Sequence, residues 1–396
     1  MLNLRRAIPF LTLFLLLLTI ALVFTAREGI ALRVRAASVT PSAVPIAPTV
    51  IPTATRTPQP TSVPTATPTV TPSRTATPTF TPTPPVTPAP DRKLLTGMSW
   101  VGQTWNNCGP ASVSMVLSYY GIRLSQEEIG RALHPDPAGK HVGASEMAEY
   151  LAGKGLVARP SVNGNMDILQ RLVANGVPVV VGGWLKAGED IGHYRIIKGY
   201  DRTGGVMIFN DSYLGQDMRM TMAQFDALWW PFNRFYMPVY RPDREPTIRA
   251  ILGEDWDREA MFRKARADAE KATQTRPDDP YAWFNLGDDN LALEDPLTAI
   301  QAYERAMRLG LPSRMLWYRT EPLAAFNQAG QYQRVLDLSA PVLARANGVA
   351  QVYEQRGLAY LGLGKPDLAA SEFRLALFYD PALSVSREAL TRLGGR

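Results

Sequence analysis

A long stretch of the chain, residues 38–90, consists almost entirely of Thr, Pro, Val, Ala and Ser, with Arg56 and Arg74 as its only charges. Such a composition cannot bury enough apolar surface to form a core. Proline favours the extended polyproline II conformation, so about 50 residues at ~3.1 Å each reach on the order of 150 Å. The stretch therefore predicts a disordered, extended stalk, and the chain's folded domains must lie after it.

The N-terminal segment, residues 1–37, contains nineteen consecutive uncharged residues, AIPFLTLFLLLLTIALVFT. This run is close to the ~20 residues that span a bilayer, and it exceeds the roughly 7 to 15 apolar residues of a cleaved signal peptide. We therefore predict a retained single-pass membrane anchor, with a secreted protein as the alternative. Exposed Ser/Thr-Pro stretches are typical of surface proteins, which places the folded domains outside the cytoplasm.

The charge distribution excludes a basic nucleic-acid-binding face. The net charge of +6 comes entirely from residues 1–90, which hold seven Arg and one Glu. The following 306 residues carry 35 basic and 35 acidic side chains. No nucleic-acid partner is therefore expected. The single cysteine also excludes an intrachain disulfide, so the folded parts must be stable through their cores.

The C-terminal part, residues 246–396, contains an internal repeat with steps of 36 and 34 residues. The corresponding positions are Gly287, Leu323 and Gly357, and likewise Ala299, Val335 and Ala369. These steps match the tetratricopeptide period of 34, in which small residues let two antiparallel helices approach closely. Residues 255–396 resemble the tetratricopeptide family, which predicts an all-α solenoid. It acts either as a structural element or as a concave groove for a peptide or protein partner.

Between stalk and repeats, residues 91–245 have the length of one domain. Amphipathic patterns predict helices over residues 108–120, 125–133, 144–151 and 166–174. The later runs VPVVVGGWL, HYRIIKGYD and VMIFND are short, apolar and rich in β-branched residues, which predicts buried strands. Helices followed by strands indicate an α+β domain.

The only cysteine, Cys108, lies in QTWNNCGPAS at a predicted helix start. Asn107 suits the N-cap, and Pro110 is tolerated in the first turn because its missing N–H has no intrahelical partner there. The positive end of the helix dipole favours a thiolate, the nucleophilic form of cysteine. The alternative is a small, inert core residue.

Three further residues surround this candidate nucleophile in the predicted arrangement. His193 opens a strand beside a loop, where it can act as a base for Cys108. Asp211 ends the next strand, and a hairpin between the two strands would place it beside His193. Gln103 carries a side-chain amide that can donate to an oxyanion, together with the backbone N–H of Cys108. Each residue alone has a structural alternative.

Together, Q-TWNN-CGPAS, GHYRIIKGYD and FND resemble the papain-like cysteine peptidases, specifically the bacteriocin-processing, double-glycine leader peptidase family and its stand-alone relatives. The resemblance covers about residues 95–240. It implies a papain-like fold and amide hydrolysis through a thioester. It also implies the roles of nucleophile for Cys108, base and acid for His193, orienting group for Asp211 and oxyanion donor for Gln103. The family's aspartate is often followed by proline, whereas Ser212 follows here.

The resulting hypothesis is an exported, membrane-tethered cysteine peptidase without cofactor or metal, which acts on a peptide or protein substrate and uses its repeats for docking. The absence of a G-x-x-x-x-G-K-[ST] motif argues against a leader-peptide exporter. Two alternatives keep the fold: a non-hydrolytic peptide-binding scaffold and a papain-like acyltransferase. A weak metal site could use His134, Asp136 and His141, which share one loop.

Overall fold

A computed structural model describes residues 86–133, 136 and 142–394, all within one compact unit. The predicted N-terminal anchor and residues 38–85 of the predicted stalk lie outside the described residues. No helix among the described residues is long and apolar enough to span a membrane.

The first part of the described chain is an α+β domain, as predicted. Its helices are α1 (Cys108–Tyr119), α2 (Gln126–Leu133), α3 (Ala144–Ala152), α4 (Met166–Ala174), α5 (Met222–Trp229) and α6 (Glu245–Leu252). Its strands are β1 (Arg92–Leu94), β2 (Val157–Ala158), β3 (Val179–Trp184), β4 (Gly192–Asp201), β5 (Val206–Asp211), β6 (Gly215–Thr221) and β7 (Tyr236–Tyr240). The four helices and three strands predicted for this part are confirmed, and strands β1, β2, β6 and β7 were missed.

The strands form one antiparallel sheet in the order β2–β7–β3–β4–β5–β6, with β1 paired to β4. Successive side chains of a strand point to opposite faces. Val179 and Val181 accordingly join one core, with α4, α5 and α6, whereas Val180 joins a second core with α1, α2 and α3. The sheet therefore lies between two helical layers, which explains why the central strands are almost continuously apolar.

The last residues of the predicted stalk belong to the folded domain. The Thr87 backbone N–H donates to Asn175 Oδ1 at 2.9 Å, and Asn175 Nδ2 donates to the Thr87 carbonyl at 3.0 Å. Val86 and Ala89 pack against the core on the α4 side of the sheet. Residues 86–90 are therefore part of the folded domain, because Val86 and Ala89 cover apolar surface of its core.

The second part of the described chain is entirely helical, as predicted. Its helices are α7 (Arg258–Thr275), α8 (Pro280–Ala292), α9 (Pro296–Arg308), α10 (Met315–Tyr318), α11 (Glu321–Gln328), α12 (Tyr332–Arg345), α13 (Ala350–Gly362), α14 (Pro366–Tyr379) and α15 (Ser384–Gly394). The pairs α8/α9, α11/α12 and α13/α14 correspond to the three repeats, and α7 packs on α8 as the predicted leading helix. We call residues 258–394 the helical region.

The aligned glycines of the first and third repeats make the same kind of packing contact. A Cβ atom at Gly287 would lie 2.5 Å from the Tyr303 ring, and one at Gly357 would lie 2.6 Å from the Phe373 ring. Both rings are fully buried. A glycine at this position therefore allows the next helix of the pair to insert an aromatic ring.

The α+β domain and the helical region share one hydrophobic core. Trp184, Leu228 and Phe232 of the domain cluster with Phe284, Leu316 and other side chains of the helices. Polar contacts surround this cluster: Asn233 Nδ2 donates to Asp289 Oδ1 at 2.7 Å, and Trp230 Nε1 donates to Asp279 Oδ2 at 2.9 Å. The helices are therefore packed directly on the domain.

We expect Gly287→Ala to lower the free energy of unfolding by about 1–3 kcal/mol, because the added methyl group overlaps the Tyr303 ring. The ring cannot move easily, since its hydroxyl donates to Asp288 Oδ1 at 2.7 Å. Denaturant unfolding measures the change. Gly394→Ala is the control, because a Cβ atom there meets nothing within 4 Å. Equal losses in both variants would contradict the assigned close approach.

Candidate active site

A cleft of about 1470 Å³ lies between the α+β domain and the helical region. Gln103, Cys108 and His193 line it from the domain. Trp317 and Tyr318 line it from α10. A pocket of this size accommodates several residues of an extended peptide.

Cys108 is the first residue of α1 and is partly exposed. Asn107 occupies the N-cap position, but its side chain makes no capping hydrogen bond. Its Nδ2 instead donates to Thr104 Oγ1 at 2.6 Å. Asn107 therefore occupies the predicted N-cap position, but its side chain does not cap the helix, because it is hydrogen-bonded within the preceding turn.

Strand pairing places His193 beside Asp211. Strands β4 and β5 are antiparallel, and the residue directly opposite Asp211 is Arg195. His193 precedes Arg195 by two positions and so lies on the same face of β4. Its Nε2 lies 2.8 Å from Asp211 Oδ1. The hairpin predicted from the sequence thus brings these two residues together across a diagonal of the ladder.

The Asp211 carboxylate is fully buried and has partners on both oxygens. Oδ1 also accepts the backbone N–H groups of Tyr213 at 2.8 Å and Leu214 at 2.9 Å. Oδ2 forms an ion pair with Arg195 Nε at 2.9 Å, although the N–H direction is poor for a hydrogen bond. Burial opposes ionisation, but the hydrogen bond and charge of His193 and the charge of Arg195 lower the pKa of Asp211 below its ordinary value.

His193 connects Asp211 to Cys108. Burial lowers its pKa, but the hydrogen bonds with Asp211 and Cys108 and the charges of both residues outweigh burial. The pKa of His193 is therefore raised above its ordinary value of 6.5. Because Nε2 is taken by Asp211, Nδ1 is the nitrogen available to the thiol. The imidazole is thus placed to take a proton from sulfur and to hold it.

Arg195 is a residue of the site that the sequence analysis missed. Its side chain is almost fully buried, and its guanidinium donates to the carbonyls of Trp184, at 3.0 Å, and Leu185. These bonds fix the cation against Asp211. The available signal was an arginine inside the apolar run HYRIIKGY, two positions after the candidate base.

Gln103 is held beside the cleft by Ser212, a second residue that the sequence analysis did not use. Ser212 Oγ donates to Gln103 Oε1 at 2.8 Å, and the Gln103 backbone N–H donates to the Ser212 carbonyl at 2.9 Å. Because the amide oxygen is engaged, the orientation of the NH₂ group is defined as well. Ser212 therefore positions the candidate oxyanion donor.

The alternative metal site rests on His134 and His141, which lie outside the described residues. Within the part of the chain that the structure describes, no group of His, Cys, Asp and Glu side chains is placed to hold a metal ion.

We expect the stability of the wild type to fall as pH rises through the raised pKa of His193. The protonated imidazole stabilises the fold below pH 6.5, and this contribution is lost above the folded-state pKa. His193→Gln should therefore show a flatter dependence of the unfolding free energy between about pH 5 and pH 9. Denaturant unfolding across this range provides the comparison. A constant difference between wild type and variant would contradict the raised pKa.

Residues 95–236, a little over a third of the chain, match the model of the Peptidase_C39 like family. No curated protein matches the chain.

Among solved structures, the peptidase domain of Streptococcus ComA is 20% identical, with a TM-score of 0.30, and the match covers 38% of this chain and 98% of that chain. A double glycine motif protease from an AMS/PCAT transporter, in complex with its leader peptide, is 19% identical with a TM-score of 0.29, over 38% of this chain and 98% of that one. MamA from Desulfovibrio magneticus RS-1 is 21% identical with a TM-score of 0.32, over 35% of this chain and 77% of that one. The chain thus combines a C39 peptidase-like domain with a C-terminal region of helical repeats.

Proposed function

We propose that this protein is a cysteine peptidase that hydrolyses peptide bonds through a thioester at Cys108. The observation that carries the proposal is the position of His193, which hydrogen-bonds Asp211 and contacts Cys108 in the wall of one cleft. The family match over residues 95–236 supports the same reaction class. If His193 and Asp211 formed only a structural ion pair, they would need no partly exposed thiol beside them.

The proposed reaction begins when His193 takes the thiol proton and the Cys108 sulfur attacks the carbonyl carbon of the scissile peptide bond. The developing oxyanion accepts hydrogen bonds from the Gln103 side-chain amide and the Cys108 backbone N–H. His193 then protonates the leaving amine, and the C–N bond breaks to leave a thioester. Water, deprotonated by His193, attacks the thioester carbon and releases the carboxylic acid and the thiol.

Asp211 serves this cycle by stabilising the protonated imidazole. Its hydrogen bond to Nε2 directs Nδ1 towards the sulfur, and its negative charge favours the imidazolium that forms in each half-reaction. Arg195 keeps the carboxylate ionised and stationary.

The substrate is a peptide or an unfolded segment of a protein, in this proposal. The cleft is walled on one side by the α+β domain and on the other by α7, α8 and α10, with Phe262, Leu291 and Trp317 as apolar lining residues. A folded protein surface would not fit between two walls, whereas an extended chain would. The repeats therefore contribute to substrate docking, and their remaining surface is available to a protein partner.

The proposed location is the cell membrane, with the folded parts outside the cytoplasm. The uncharged N-terminal run, long enough to cross a bilayer, and the Thr/Pro-rich stretch that follows it support a tethered protein. Secretion is the alternative if the N-terminal segment is removed.

Cys108→Ala tests the proposed function. We expect it to reduce cleavage of a mixture of unstructured peptides by about a thousandfold or more, because the nucleophile is lost. Mass spectrometry of new peptide termini measures the rate, and thermal unfolding checks that the variant is folded. Cleavage by the folded variant at the wild-type rate would exclude the proposed reaction.

Ser212→Ala tests the oxyanion site. We expect kcat to fall by about tenfold with little change in KM, because the oxyanion exists only after attack. Ser114→Ala is the control, since its buried hydroxyl donates to the Leu124 carbonyl at 2.6 Å rather than to Gln103. A change in KM alone would show that Ser212 acts on substrate binding instead.

A further inference from the structure

The helical region contacts the segment that carries the candidate base. Residues 185–191 connect β3 to β4, and Gly192, the first residue of β4, directly precedes His193. Arg314 Nη1 pairs with Asp190 Oδ1 at 3.0 Å, and Tyr318 lies on Gly192. The ion pair is substantially exposed, and such pairs contribute little to stability. The contact with Tyr318 is therefore the more informative of the two.

The contact between Tyr318 and Gly192 leaves no space for a side chain. A Cβ atom at Gly192 would lie 2.9 Å from each of three ring atoms of Tyr318. Gly192 does not have a positive φ, so its conformation alone does not require glycine. The close approach of the ring explains the residue instead. The Gly192 backbone also interacts with the Tyr318 hydroxyl, which opposes the effect of burial on the pKa of Tyr318.

Tyr318 is itself held in place by aromatic neighbours. Its ring contacts Trp184 edge to face, with centroids 6.2 Å apart, and lies 6.1 Å from the Phe232 ring. Both partners belong to the core that the domain shares with the helices. Burial raises the pKa of Tyr318 to about 12, and a charge on Cys108 adds to this effect. The hydroxyl is therefore neutral at physiological pH, and Tyr318 lies within electrostatic range of the nucleophile.

We propose that Tyr318, supplied by the helical region, is a positioning residue of the active site. It holds the Gly192 backbone and thereby fixes the neighbouring His193 imidazole between Cys108 and Asp211. The inference rests on the proposed function and extends it, since docking of the repeats then determines whether the base is placed to act. The helical region contributes to catalysis as well as to docking.

Alkylation by iodoacetamide provides the test, because Cys108 is the only cysteine of the full chain. The rate of labelling should depend on the pair formed by Cys108 and His193. Asp211 and Arg195 are the charged groups beside this pair. At about pH 6, an isolated thiol is almost entirely protonated, so fast labelling there reports a thiolate stabilised by His193. We expect His193→Gln to slow labelling by about tenfold or more.

We expect Tyr318→Phe to slow labelling at the same pH by about threefold, because the interaction of the hydroxyl with the Gly192 backbone is lost. We expect Tyr318→Ala to approach the rate of His193→Gln, because the ring packed on Gly192 is lost as well. Tyr281→Phe is the matched control. It removes a hydroxyl from the same shared interface, where Trp184 Nε1 lies 3.2 Å from the Tyr281 oxygen, and it should label like the wild type.

Three results would overturn the inference. If Tyr318→Phe and Tyr318→Ala both label like the wild type while His193→Gln is slow, Tyr318 has no positioning role and the peptidase proposal stands. If Tyr281→Phe is slowed as much as Tyr318→Phe, the effect is a general loss of docking. If His193→Gln labels like the wild type, the Cys108–His193 pair does not function, and the proposed function is rejected together with the inference.

Discussion

A fully buried carboxylate, that of Asp211, organises the site and the end of the sheet around it. An unpaired charge in such a position costs several kcal/mol, so the partners of Asp211 are a requirement of the fold as much as of the chemistry. His193 and Arg195 supply compensating groups from β4, and the turn after β5 supplies two backbone N–H groups. The partners that Asp211 needs in order to be buried as an anion therefore also fix the position of the candidate base, His193.

The segment before α1 is hydrogen-bonded to the end of β5 and the residue that follows it. Trp100 Nε1 donates to the Asp211 carbonyl at 2.9 Å, and Gln103 is held by the backbone and hydroxyl of Ser212. The end of β5 therefore positions the orienting carboxylate and, one residue later, the candidate oxyanion donor. A change in the pairing of β4 and β5 would displace both at once, because a slip by one residue turns each side chain to the other face.

The helical region changes the nature of the cleft. Cys108 and His193 line the cleft from the α+β domain, and the helices add a second wall. Since the two parts share a core around Trp184 and Phe232, this wall is a fixed element of the structure. Access to the nucleophile is consequently limited by a part of the chain that begins more than sixty residues after His193 in sequence.

The sequence was sufficient for features that depend on local pattern. Helix α1, strands β3 to β5 and the close approach of two helices at Gly287 follow from apolar periodicity and repeat spacing. Strand β7 was missed because Pro238 in a five-residue run argues against a strand, and β6 because its alternating residues are mostly exposed.

The sequence by itself thus identified helices α1 to α4, strands β3 to β5, the repeat and the four candidate residues Gln103, Cys108, His193 and Asp211. Only the tertiary structure decided that Arg195 neutralises Asp211, that Ser212 orients Gln103 and that Tyr318 lies on Gly192. The physical reason is that these contacts join residues on different elements. Their distances depend on strand register and on helix docking, which are set by long-range packing and leave no signature in a local stretch of sequence.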